Sequence, residues 1–310
     1  MGFKKGPEDT YEWNSETFAL AAAARFHEYD LNRISNADPA HSKWAGYASI
    51  YFSDSNADGR QQSSEVCRVS GKVDSMRLPK EIYFVHRVMQ SATPDLHIIG
   101  HWSYPAATKK TVYVAASHCD TVELFVNGQS KGKVTPPKDG VIFAFPDIAF
   151  APGAIKAIGT AAGKAVCQQE IPTAGPAKSL KLTPITGPLG LQADGADVAL
   201  FDVETVDAQG RRCPTDEARV DFKLDGPAIW RGGYNSGLPG STNNLYLNTE
   251  CGLNRRHPRH PQARRHHPHR HPRRPATGHG SDRSEASRNH RRPLASPAHA
   301  LSGSRRCRGS

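Results

Sequence analysis

Val122, Leu124 and Val126 alternate with Thr121, Glu123 and Phe125 and run directly into Asn127-Gly128. Alternation with a period of two is the pattern of a strand with one buried face. Asn-Gly supplies the two positive-φ positions of the tight turn whose twist matches such strands. The segment therefore predicts a β-hairpin. More strands surround it: Val112, Val114 and Ala116 alternate with Thr111, Tyr113 and Ala115, and runs at 141–145 and 155–160 are broken by Pro152-Gly153. Residues 93–174 read as a small antiparallel β-sandwich.

The chain on either side follows different periods. Asn14 or Ser15 offers an N-cap, with Glu16 in the first helical turn. Phe18, Ala22, Phe26 and Tyr29 then recur at helical spacing, which predicts one apolar face. A short apolar run at 44–52 reads as a strand covered on both sides, and it stops in a polar loop at 53–60. A further helix carries Pro79 at its start and Ile82, Val85 and Met89 on one face. Helix, buried strand, polar loop and helix is the rhythm of an α/β barrel. Beyond residue 174, Leu180, Leu182, the run 198–206, and Val220, Phe222 and Leu224 are strand-like and separated by Asp/Gly turns. That spacing predicts an immunoglobulin-like sandwich at 175–254, one short of its final strands.

The net charge of +10 misleads, because the last 60 residues hold 15 Arg, no Lys and two acidic residues. They carry +13, which leaves −3 for the first 250. From 255 onward the composition collapses into Arg, His and Pro. A basic arm for nucleic acid and a loose metal site at His266, His267, His269 and His271 are two readings. A shifted reading frame explains the composition better. Reading each codon's last two bases with the next first base turns every His followed by a C-initial codon into Ile or Thr. With G/C-rich third bases, 256–275 becomes AIRATRKPGAITLTATRAGL, two strand-like runs around a Lys-Pro-Gly turn. As translated, residues 255–310 predict a disordered tail, with too little apolar surface to offset chain entropy. The six cysteines are widely spaced with no C-x-x-C pair, which argues against a zinc ribbon and for free buried thiols. No apolar run reads as a membrane span, and no signal peptide stands at residue 1. The chain is then either cytoplasmic or lacks its true N-terminus.

Several strings resemble one family. They are Trp13-Asn-Ser-Glu-Thr-Phe-Ala-Leu20, Ile50-Tyr-Phe-Ser-Asp-Ser-Asn56, Ser70-Gly-Lys-Val-Asp-Ser-Met-Arg-Leu-Pro-Lys80 and His97-Ile-Ile-Gly-His-Trp-Ser-Tyr-Pro105. The hairpin string Val122-Glu-Leu-Phe-Val-Asn-Gly-Gln-Ser-Lys-Gly132 joins them, with Lys181-Leu-Thr-Pro184 and Leu191-Gln-Ala-Asp-Gly195 further on. Together they resemble bacterial family 2 glycoside hydrolases of the β-galactosidase type, over roughly residues 10 to 253.

The resemblance implies a multidomain α/β plus all-β chain. A C-terminal fragment of a (β/α)8 barrel at 1–92 precedes two immunoglobulin-like or β-sandwich domains at 93–174 and 175–254, then the disordered tail. It also implies a retaining enzyme in which two Glu carboxyls sit about 5–5.5 Å apart, acting on a β-galactoside or related oligosaccharide. No cofactor or metal, no nucleic acid and no membrane partner is expected. The N-terminal domains would be missing from this chain, and the parent enzyme would be periplasmic or secreted. The catalytic residues are unknown: no Asn-Glu acid/base motif is present, and Glu8, Glu12 and Glu16 do not follow a strand-like run. The expected substrate-binding residues are Asp54, Asn56 and Arg60, in the loop after the last barrel strand, where strand ends line the active site. For Asp54 and Asn56 an Asx-turn network shaping the loop is the alternative. Trp102 and Tyr104 either stack on a sugar or pack between domains. The competing function is a carbohydrate-binding or domain-interaction module without catalysis.

Overall fold

The computed structural model describes residues 11–35, 52–56, 67–68, 70–192, 197–226, 228–233, 244–259 and 301–305. Helix α1 spans Tyr11–Ser35. A two-residue strand pair, β1 (Ser55–Asn56) and β2 (Cys67–Arg68), leads to helix α2 (Glu81–Gln90). The expected strand at 44–52 falls outside the described residues except for Phe52, which is exposed.

The helices pack together and onto the sheet that follows. Ala19 and Ala23 of α1 meet Ile82, Val85 and Val88 of α2, and both sets bury against Ile99, Ala115 and Ile142. The apolar face of α1 is therefore turned one residue from the expected one. Phe26 is buried as predicted, but Phe18 is 40% exposed, and the two alanines take the contact because their small side chains let the helices close up. The start of α1 differs too. It begins before Ser15, whose hydroxyl accepts the Glu81 N–H at 3.1 Å and so caps the other helix.

The second unit matches the expected sandwich. One sheet has the order β3 (Asp95–Ile98), β4 (Lys109–Ser117), β7 (Ile142–Ala149). The other runs β6 (Gln129–Val134), β5 (Thr121–Val126), β8 (Ala154–Ala161), β9 (Lys164–Pro172). Between them lie Val112, Val114, Val122, Leu124, Phe143 and Ile155, with Trp102 closing one end. Asn127 and Gly128 turn the β5–β6 hairpin at φ 50° and 78°, as the dipeptide requires.

The third unit is also a two-sheet sandwich. One sheet has the order β10 (Ser179–Ile185), β11 (Leu200–Val206), β15 (Leu253–Arg259), β13 (Ile229–Gly233). The other is β14 (Tyr246–Asn248), β12 (Arg219–Leu224), β16 (Leu301–Arg305). Val203, Val220, Phe222 and Leu247 form its core. Here the sequence reading needs correction. Residues 255–259, assigned to the tail, complete β15 between β11 and β13, and residues 301–305 pair with β12. An open sheet edge presents unpaired N–H and C=O groups, and these segments satisfy them whatever their composition.

One buried ion pair ties the first unit to the second. Lys110 of β4 donates to both Glu16 oxygens at 2.9 and 2.8 Å and to the Tyr104 hydroxyl at 2.8 Å. Removing one partner from such a pair leaves an uncompensated charge in a dry contact. Lys110→Met is expected to cost about 3 kcal/mol. The double variant with Glu16→Gln should recover most of that loss in urea denaturation, because no unpaired charge then remains.

Candidate functional site

The segment entering from Phe52 runs alongside residues 71–73. Ser53 pairs with Val73 in a parallel bridge, the Asp54 N–H donates to the Val73 carbonyl at 3.0 Å, and the Lys72 N–H donates to the Phe52 carbonyl at 2.8 Å. Gly71 makes this approach possible, since a Cβ there would collide with the backbone of Ser53 and Asp54.

Asp54 is the centre of the arrangement. Its Oδ1 accepts from the Gly71 N–H at 2.8 Å and from Lys80 Nζ at 2.6 Å, and the Asp54 side chain has no solvent exposure. Its Oδ2 is buried with no hydrogen-bond partner among the described residues. Burial pushes the carboxyl above the usual range, with Lys80 and the Gly71 amide pulling the other way. Lys80 is the N-cap residue of α2, so the ion pair anchors the loop to the helix start. Asp74 is also buried, and its Oδ1 accepts from the Met76 and Leu78 N–H groups at 2.8 and 2.7 Å, which shapes the turn between them. Burial pushes its carboxyl up as well, against those two amides. Burial lowers the Lys72 ammonium.

Of the expected site residues, Asp54 sits in this ion pair and Asn56 lies on β1 opposite Cys67. Arg60 lies outside the described residues. Lys80 was missed by sequence reasoning. It stands 26 residues from its partner, and only the parallel bridge at Val73 brings the two together. Trp102 is fully buried, donates Nε1–H to the Ala151 carbonyl at 3.1 Å and meets Phe150 edge-on, so its role is packing. Glu16 of α1 is held by Lys110 and Tyr104 from the second unit. Glu8 lies outside the described residues, and the Glu12 side chain is not described.

Beside Asp74 and Lys80 opens a cleft of about 80 Å³, reaching Glu81 and His101 on one side and Arg212 and Glu250 of the third unit on the other. Among the described residues no group of three His, Cys, Asp or Glu is placed to hold a metal ion, and no helix is long and apolar enough to cross a membrane.

Known proteins resemble this chain in sequence and fold. Residues 186–249 match the model of glycoside hydrolase family 2 C-terminal domain 5, and residues 107–167 match a domain of unknown function, DUF4982. The chain resembles the C-terminal part of family 2 glycoside hydrolases. A β-glucuronidase of Formosa agariphila is 48% identical over 248 residues, which is 80% of this chain and 24% of that protein. A β-galactosidase of Bacteroides ovatus is 33% identical over 156 residues, 50% of this chain and 18% of that protein. The chain thus spans a quarter or less of these curated relatives. A solved family 2 β-glucuronidase superposes with a TM-score of 0.72 at 44% identity, covering 82% of this chain and 26% of that one. The family is one of glycosidases acting on carbohydrate, and the relatives carry both β-glucuronidase and β-galactosidase names.

The raised carboxyls have a pH consequence. A carboxyl whose folded pKa exceeds its unfolded one binds its proton more tightly in the folded state. Stability is then fully present below the unfolded value, near about 4, and falls as pH rises toward the folded value. Asp74→Asn keeps an acceptor for both amides and removes one such carboxyl. Thermal melts from pH 4 to 8 should show a shallower decline for this variant than for wild type.

Proposed function

We propose that this chain is the C-terminal portion of a retaining family 2 β-glycosidase, contributing one wall of the active site and two accessory β-domains, and that it does not turn over glycosides alone. The observation that carries the reading is the 48% identity to a β-glucuronidase over 248 residues, 80% of the chain. In a retaining mechanism one Glu protonates the departing glycosidic oxygen and a second forms the glycosyl-enzyme, which water then hydrolyses. With no Asn-Glu motif in this chain, we assign the acid/base role to no residue here, and no residue here is assigned as the nucleophile.

Within that scheme the loop at 53–60 lines the sugar subsite. Asn56 and Arg60 are the proposed substrate-binding residues, and Asp54, locked to Lys80, positions the segment that leads to Asn56. A β-glucuronide is the favoured substrate, because the relative with that name is both more similar and matched over more of this chain. A β-galactoside, the substrate first expected, is the second reading, and the B. ovatus relative supports it.

The test joins this chain to the upstream three-quarters of the F. agariphila relative. It measures p-nitrophenyl β-D-glucuronide and β-D-galactoside turnover by the chimera and by the chain alone. Turnover is expected from the chimera only, with the glucuronide preferred. Lys80→Met in the chimera should lower kcat/KM by roughly 100-fold, as an ångström-scale displacement of a positioning loop does. Turnover by the chain alone, or retention on immobilised polysaccharide with an inactive chimera, would replace this reading with an independent enzyme or a binding module.

A further inference from the structure

The second unit holds a pair of thiols that the proposed chemistry does not use. Cys167 lies on β9 directly opposite Gly159 of β8, and Cys119 lies in the bend between β4 and β5, on the other side of β8. Gly159 has no side chain, and both sulfurs lean over it. A Cβ added there would stand 2.6 Å from Cys167 Sγ and 3.2 Å from Cys119 Sγ. The β8–β9 ladder shifts register between Gly159 and Thr160, which loosens the pairing where the sulfurs meet. Both cysteines are free and partly exposed at the rim of the sandwich core, within reach of small solutes.

We propose that Cys119 and Cys167 form a dithiol that closes to an intramolecular disulfide by exchange with a low-molecular-weight disulfide, stapling edge strand β9 across β8. In the first step the Cys167 thiolate attacks one sulfur of the small disulfide and expels the other as a thiolate, leaving a mixed disulfide. Cys119 then loses its proton to solvent and attacks the Cys167 sulfur, expelling the second small thiolate. Two protein thiols are oxidised and one small disulfide is reduced to two thiols.

The order of attack follows from the surroundings. Burial pushes the Cys119 thiol up to about 12, and the neighbouring Cys167 adds to the shift. Burial raises Cys167 too, but there the hydrogen bond from Cys119 and the Gly159 amide favour the thiolate. Cys167 is thus the entering nucleophile and Cys119 the resolving one. The bond would fix β9 just before Pro172, where the chain passes to the third unit, so oxidation would stiffen the strand that carries the junction.

Oxidised glutathione on the full reduced chain at mildly alkaline pH tests this, followed by alkylation, digestion and peptide mass analysis. Titratable thiols in denaturant should fall from six to four. One peptide pair joined through Cys119 and Cys167 should appear, two hydrogens lighter than the separate peptides. Cys119→Ser should instead accumulate glutathione on Cys167. Gly159→Ala, whose methyl must part the sulfurs, should slow closure at least tenfold. Recovery of both cysteines alkylated or separately glutathionylated in the wild type overturns the proposal, as does closure of Gly159→Ala at the wild-type rate. Should that glycine variant fail to fold, the wild type and Cys119→Ser still decide.

Discussion

Strand β4 packs against neighbours on both faces, and the first two units are arranged around that fact. Val112, Val114 and Ala116 point into the sandwich, while Ala115 on the other face meets the helices. A sheet face with a small residue at its centre can receive helices at close range, and Ala19 and Ala23 of α1 answer it with small residues of their own. Lys110 stands on the same strand and reaches Glu16, so an ion pair seals the contact that the alanines pack. An isolated pair of helices has too little core to be stable, and here the sheet supplies the missing wall.

The Asp54 loop depends on that wall at one remove. Lys80 is fixed because α2 is fixed, and α2 is fixed by Val85 and Val88 against Ala19 and Ala23 and by Glu81. The Glu81 carboxylate accepts the Gly100 N–H at 3.0 Å and lies 2.6 Å from His97 Nε2. A loop hung on a buried ion pair holds one geometry, because every displacement separates two charges in a dry setting. Such rigidity suits the role proposed for this loop, since binding groups must be in place before a substrate arrives.

What was legible in the sequence was what is locally determined. The β5–β6 hairpin follows from Asn127-Gly128 and its flanking alternation, both contained within a dozen residues. The third unit's strands were equally visible up to Leu224. The phase of α1 was not, because Phe18 and Ala19 both lie near the border of the apolar stripe, and only the partner helix selects the smaller one. Ser15 misled for a related reason: a hydroxyl near a helix start reads as its own cap, whereas a neighbouring helix with an open N–H can claim it. Asp54 was singled out by its place after a strand-like run. Its lysine was not, since no rule of spacing links residues brought together by a parallel bridge. The strands at 253–259 and 301–305 were hidden by composition, which says nothing about a neighbouring edge that lacks a partner.

The third unit reaches the site through a residue on one of those hidden strands. Arg255 pairs with Asp202 of β11 through Nε at 2.6 Å and donates Nη1–H to the Met76 carbonyl at 2.8 Å. Met76 sits in the turn that Asp74 shapes and that leads to Lys80, so a sandwich 179 residues away in sequence steadies the support of the Asp54 loop. The junction feeding that sandwich is itself pinned. Burial would raise the Asp207 carboxyl, but it accepts from the Gly175, Arg211 and Gln209 amides and the Arg211 guanidinium, and these hold it well below the usual range. Four donors on one buried carboxylate leave the linker little freedom to swing. A domain attached this way acts on the turn at Met76 as a mechanical support. It steadies a loop it does not contain, and under the proposed function that gives the third unit a part to play without touching sugar.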